Sequence, residues 1–212
     1  MCGGLSHMNI IIYACSNLKL VLASKVIKSH CSKNSLYEQK YKTIMTRTLN
    51  ISPLTAAAFA TFGEVIEMAG AEHFPINQGT TERYHDLAKL DLNAVGGKSI
   101  VSIFETQPRP LPIKLDLMER HPLGSQAFYP LQDRDWLIVV AGDPDPVDID
   151  APDNLRAFRA NGRQGVNYAR NVWHHPLLVL DSDSRFLIVD RKGPGNNLEE
   201  IVFTRDVYLS DA

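Results

Sequence analysis

The sequence predicts a mainly β protein, a sandwich or barrel built as one domain, with a single short helix near its start. Three observations support that class. Short runs of β-branched, apolar or alternating residues recur along the chain, turn-forming residues punctuate them, and their spacing is fairly even. A chain of 212 residues, 44% hydrophobic and 22% charged, is also long enough to bury one good core.

The helix comes first. Ser52 is placed to cap it, Pro53 suits its first position, the run 56–62 continues it, and Gly63 ends it. Strands are then expected at 99–104, 136–140, 155–160, 177–180 and 186–190. Their dividers are Gly96-Gly97, the prolines from 108 to 112, Gly142-Asp143-Pro144, Asn161-Gly162 and Gly193-Pro194-Gly195. Only 113–119 could be mistaken for a further helix. No repeat, low-complexity tract or second domain is visible.

Residues 1–44 differ in kind. They hold six lysines against Glu38 alone, a charge of +5, whereas the whole chain carries −2, which leaves the body near −7. An acidic body with no basic stripe argues against nucleic acid as a partner. The apolar stretch 8–23 is interrupted by Asn9, Asn17 and Lys19 and lacks a charged leader, so neither a secretion signal nor a membrane span is expected. The expectation is a poorly ordered, dispensable extension over 1–44 and one catalytic domain over 45–212, with Met45 as the working start. All three cysteines, Cys2, Cys15 and Cys31, fall in the extension. The body therefore has no disulfide, thiolate metal site or cysteine nucleophile, and a cytoplasmic location is expected.

Three clusters could carry chemistry. In the first, Glu119 and His121 share a strand face, because side chains alternate with period two. Gln126 returns towards that face across a Pro-Gly turn. Carboxylate, imidazole and amide would suit a divalent metal, although a polar surface turn would show the same spacing. The second is 167–176, with Asn171 and the pair His174-His175, of which only one easily reaches a shared site. The third, 76–87, sets Asn77, Arg83, Tyr84, His85 and Asp86 side by side. Arg83 could clamp a carboxylate and His85 act as an oriented base, but a solvated edge strand fits equally well. No phosphate loop, G-x-S-x-G elbow or H-E-x-x-H is present, so no nucleotide or organic cofactor is expected.

The first cluster resembles the first cupin motif, His-x-His followed five residues later by Glu. Here Glu119 replaces the first His and Gln126 the Glu, while His121 is kept. The second cluster resembles the second cupin motif, in which a later strand brings one more His. The strings FGEVIE (62–67), ERYHDL (82–87), ERHPLGSQAF (119–128), QGVNYARNVWHHPL (164–177) and IVDR (188–191) resemble those of bacterial ureidoglycolate lyases in the same order. The resemblance covers about 49–203 and none of 1–44.

That resemblance implies a cupin-like double-stranded β-helix barrel, a cytoplasmic homodimer that acts on a small molecule. The implied reaction is cleavage of (S)-ureidoglycolate to glyoxylate and urea in allantoin degradation, with no membrane partner. It implies a divalent metal, nickel, held by Glu119, His121, Gln126 and His174. Arg83 would clamp the substrate carboxylate beside Tyr84, Asn77 and Asn171 would hold the urea, and His85, His121 or His175 would handle the proton. The rivals are another metal-dependent cupin, an isomerase or dioxygenase, and a non-catalytic cupin that senses a small ligand.

Overall fold

The computed structural model describes residues 46–142 and 154–210, so the 1–44 extension and the turn at 143–144 lie outside the described residues. In chain order the elements are β1 (Thr46–Pro53), α1 (Ala56–Phe59), β2 (Gly63–Ile66), β3 (His73–Ile76), β4 (Thr81–Tyr84), β5 (Lys98–Thr106) and β6 (Ile113–Arg120). There follow β7 (Gln126–Pro130), β8 (Trp136–Ala141), β9 (Leu155–Ala160), β10 (Gly165–Tyr168), β11 (Leu178–Val179), β12 (Ser184–Lys192) and β13 (Glu199–Ser210). They form a six-stranded sheet in the order β11-β8-β9-β1-β13-β6, a five-stranded sheet β2-β10-β7-β12-β5, and a separate hairpin β3-β4. Among the described residues no helix is long and apolar enough to cross a membrane.

The expected helix is corrected. Ser52 and Pro53 belong to β1 and pair in parallel with Phe158 and Arg159. Proline's missing donor costs nothing here, because the next residue, Leu54, makes the 2.9 Å bond to the Arg159 carbonyl. What remains is one turn, α1, whose cap is Thr55 and not Ser52: the threonine hydroxyl accepts from the Ala58 backbone N–H at 3.2 Å. Gly63 does more than stop this turn. Its φ of +140° opens β2 against β10, where an added Cβ would lie 1.9 Å from the Asn167 carbonyl oxygen. The ambiguous run at 113–119 is strand β6, and several further strands, β1, β2, β3, β10 and β13 among them, were not expected from the sequence.

The six-stranded sheet closes on itself. Its end strands are β11 and β6, and residues 173–175, just ahead of β11, bridge β8 to β6 by bonding to both. The His174 N–H donates to the Glu119 carbonyl at 2.8 Å and the Glu119 N–H returns the bond at 2.7 Å. On the other side the Ala141 N–H donates to Trp173 at 3.0 Å and the His175 N–H to Val139 at 2.9 Å. The ring encloses one apolar core, with Leu115, Met118, Leu137, Trp173 and Leu209 at its centre. A second core, with Phe59, Phe128, Trp136, Phe158 and Phe186, lies on the other face of β8 and β9 and is covered by the five-stranded sheet. Alternation along each strand therefore decides which core a side chain enters.

Candidate active site

Met118 points into the ring, so Glu119 points out of it, towards the layer under the five-stranded sheet. Trp173 likewise points in and His174 out. The result is a cluster of Glu119, His121 and His174 in which one ligand atom from each residue lies within 4.8 Å of the others. The His174 ring is stacked on Tyr168 from β10, with centroids 4.1 Å apart and planes 10° from parallel. Gln126, the first residue of β7, brings its Oε1 to 3.1 Å from His121 Nε2.

The proton positions on both rings follow from their partners. His121 Nδ1 lies 2.7 Å from the Asn197 carbonyl oxygen, and His174 Nδ1 lies 2.9 Å from that of Val172. A carbonyl only accepts, so both Nδ1 atoms carry a proton, and in the neutral rings, the form that binds a metal, both Nε2 atoms present a lone pair to the cluster. His174 Nε2 is buried without a hydrogen-bond partner, 3.4 Å from Glu119 Oε1. A charged His121 would donate from Nε2 to the Gln126 oxygen, and a neutral one leaves two lone pairs facing each other there. Spacings of roughly 3 Å are those between neighbouring ligands on a metal about 2.1 Å from each. The donor set therefore fits a divalent cation, with Nδ1–H bonds to carbonyls orienting both imidazoles as such ligands require.

Burial alone would raise the Glu119 carboxyl, but the neighbouring His174, with His121 and His175, outweighs it and holds Glu119 below the usual carboxylate range. Burial, reinforced by His174, pushes His121 down, against the opposing pull of the Asn197 carbonyl and Glu119. Asp190 on β12 is pushed up by burial, opposed by Gln126 and His121.

His175 does not join the cluster. It turns its Nδ1 to the Pro176 carbonyl at 2.7 Å, and burial pushes it from 6.5 to about 4. The native state thus resists protonating a group that the unfolded chain protonates below 6.5. Stability is complete above that pH, declines as pH falls towards 4, and is level again below. One buried histidine with such a shift corresponds to about 3 kcal/mol. Urea midpoints measured from pH 7 to pH 4 should fall accordingly, and His175→Gln should flatten the decline; an equal slope in the variant would assign the effect to other groups.

Asn171 is adjacent to the cluster. It adopts a left-handed conformation, φ 69°, and its N–H holds the His121 carbonyl at 3.0 Å. Asn77, Arg83 and Tyr84 lie on the exposed hairpin and make their contacts there. The Asn77 amide reaches Thr81, the Arg83 guanidinium sits 5.9 Å over the Phe74 ring, and Tyr84 lies 5.4 Å from His73. His85 packs on Phe74 and lines a polar recess with Glu67, Glu72 and Asp86. The structure places none of these four with Glu119, His121 and His174.

Three residues of the site escaped the sequence reading. Tyr168 floors it and is fully buried, which pushes its phenol far up. Asn197 fixes His121 through its carbonyl and, through its side-chain oxygen, accepts from the Leu123 N–H at 2.8 Å. Asp190 stands beside Gln126 across the β7–β12 ladder. Tyr168 and Asp190 fall inside two of the strings noted above, and that was their only signal.

Residues 46–210 match the family model described as "Ureidoglycolate lyase". The chain is 54% identical over 166 residues to the ureidoglycolate lyase of Burkholderia mallei (strain NCTC 10229), covering 78% of this chain and 95% of that one. It is 52% identical over 167 residues to ureidoglycolate lyase 1 of Rhizobium meliloti (strain 1021), covering 79% and 96%. With the ureidoglycolate lyase of Burkholderia cepacia it shares 57% over 157 residues, 74% of this chain and 86% of that one.

Proposed function

From the premise that this chain belongs to the ureidoglycolate lyase family, we propose that it cleaves ureidoglycolate at the Glu119–His121–His174 cluster. It is thus a carbon–nitrogen lyase whose reaction belongs to allantoin, and so purine, degradation. The observation that supports this placement is the convergence of two histidine lone pairs, a carboxylate and an amide oxygen on one point under the five-stranded sheet.

The substrate is a hemiaminal, with hydroxyl, carboxylate and urea nitrogen on one carbon. Its hydroxyl loses a proton, the carbon–nitrogen bond breaks as the carbonyl forms, and the departing nitrogen takes a proton. Atoms balance without water or a redox partner. Glu119, His121, Gln126 and His174 would hold a divalent metal, for which nickel is our choice from the resemblance. When bound, such an ion supplies Lewis acidity that lowers the hydroxyl pKa and anchors the substrate's oxygens. The chain's own groups do the rest. Carbonyls of Asn197 and Val172 keep the Nε2 atoms aimed inwards, and the Tyr168 ring closes the floor against water. Release of urea and glyoxylate from ureidoglycolate, lost on chelation and restored by nickel, is the expected result. No release under either condition would overturn the reading.

We also propose that the working protein is a cytoplasmic homodimer. The edge strand β5 keeps Val101 and Ile103 more than half exposed, and an apolar edge of that length favours pairing with a second copy. The domain is proposed to begin at Met45, since the family match starts one residue later. A chain starting there should fold and keep its activity. An insoluble or inactive truncation beside an active full chain would make 1–44 part of the fold.

A further inference from the structure

We propose that Arg191 is a positioning residue: its buried guanidinium seats the 193–197 turn so that the Asn197 carbonyl holds the His121 proton on Nδ1 and leaves Nε2 open to the ligand cluster. This rests on the reading of that cluster as the site, and it adds a residue that stands outside it. A neutral imidazole has two tautomers, and at His121 both have an acceptor within reach. The Asn197 carbonyl oxygen lies 2.7 Å from Nδ1, and the Gln126 Oε1 lies 3.1 Å from Nε2. The better-placed acceptor decides which nitrogen keeps the proton. On Nε2, the proton would occupy the lone pair that a ligand needs.

Arg191 lies in β12, opposite Ser99 of β5. It is 6% exposed, yet every hydrogen bond it makes goes to a backbone carbonyl. Its Nε and Nη2 donate to the Ala94 carbonyl at 2.9 and 2.7 Å, and Nη2 also donates to that of Pro194 at 2.8 Å. Nη1 is buried without a partner. A buried cation facing only neutral acceptors is costly, so the rigid fork of donors, more than the charge, accounts for an arginine here. Three chain segments are cut back to glycine around it. An added Cβ would lie 2.3 Å from Nε at Gly97, 2.9 Å from the Arg191 Cβ at Gly124 and 3.0 Å from Nη2 at Gly193. Gly97 has ordinary extended dihedrals, φ −65° and ψ 156°, so it is there for room and not for conformation.

The clamp reaches His121 through a few residues. The guanidinium holds Pro194. Gly195 sits against Leu123, where a Cβ would lie 2.6 Å from Cδ1, and Asn197 accepts the Leu123 N–H on its side-chain oxygen at 2.8 Å. Gly124, the next residue, rests on the Arg191 stem. The turns at 121–124 and 193–197 are thus held together over one side chain, and the bond from His121 to Asn197 crosses between them.

The test reads the His121 tautomer in the metal-stripped full chain labelled with ¹⁵N-histidine, at about pH 8, above the ordinary histidine range. The shifts of the two ring nitrogens separate the Nδ1–H form from the Nε2–H form, and loss of the signals in His121→Gln assigns them. The parent should show Nδ1–H. Arg191→Lys keeps the charge, but a single ammonium does not reproduce the fork on Ala94 and Pro194, so the Nε2–H form should appear. Nickel affinity, measured by calorimetry, should fall about 10- to 100-fold, the usual loss when a ligand's orienting contacts go. A merely structural Arg191 would lower the melting temperature and leave the tautomer unmoved. If Arg191→Lys fails to fold, Gly193→Ala takes its place, since its methyl would press on Nη2 and displace the guanidinium from Pro194. An Nε2–H parent, an unchanged tautomer in the folded variant, or unchanged affinity where the parent binds nickel overturns the proposal. Should the parent bind no nickel, the metal reading fails by itself, and the tautomer alone judges Arg191.

Discussion

His121→Gln is expected to lower the rate of urea release by about 10²-fold or more, the range for removing a positioned metal ligand or acid–base group. The imidazole is held at three points: its Nδ1–H on the Asn197 carbonyl, its own carbonyl on the Asn171 N–H, and its Nε2 facing Gln126. Glutamine is of similar size and its amide can still donate to Asn197, so folding should survive. What it cannot do is present a sp² nitrogen lone pair at the place of Nε2. Bound metal should fall in parallel with activity while the melting temperature stays close to that of the parent. If the parent binds metal and the variant keeps both metal and rate, the ligand cluster is built elsewhere. If the variant simply melts early, His121 is a packing residue and its loss says nothing about chemistry.

Trp173→Ala should have the largest effect on stability. The indole is 2% exposed inside the closed ring, and the Arg120 guanidinium lies 4.5 Å above its face. Truncation removes the apolar burial and leaves a cavity that the ring of strands cannot easily collapse, a loss of about 3–5 kcal/mol. The cation–π contact adds on the order of 0.5–1 kcal/mol. Against a typical total of about 5–15 kcal/mol, that is roughly a quarter or more of the fold's margin. A drop in melting temperature of roughly 10 °C is expected, with Trp173→Phe losing less. A shift under about 3 °C would show that the indole is not a structural plug. Below the new transition the active-site geometry should persist, since His174 is held by backbone bonds that the substitution leaves in place.

Much of the fold and the centre of the site could be read from local pattern. The alternation at 155–160 matches β9, and the apolar run at 136–140 matches β8. The two-residue step from Glu119 to His121, and the opposite faces of His174 and His175, come from strand geometry alone. What failed did so for reasons of distance. Ser52-Pro53 looks like a helix start, and only its partners Phe158 and Arg159, more than a hundred residues away, make it a strand. Asp190 meets Gln126 through ladder register, which no short window contains. The hairpin cluster shows the converse, neighbours in sequence that stand apart from the Glu119–His121–His174 cluster. Arg83, Tyr84 and His85 stand together in sequence, and among the described residues β3 and β4 pair only with each other and turn Arg83 and Tyr84 to the surface.

The seam at His174 ties the proposed ligand site to the cohesion of the whole domain. Glu119 and His174 are donor and acceptor to each other along the backbone, and they are also the groups that would grip a bound ion. A ring of paired strands has no free end from which to fray, so separating those two residues means opening the circle itself. Partly unfolded forms therefore hold only halves of the site, with no affinity for what the whole one binds. By mass action, anything captured there protects the complete domain and not merely a loop, and an enzyme saturated with its ligand should resist proteolysis and hydrogen exchange throughout the ring.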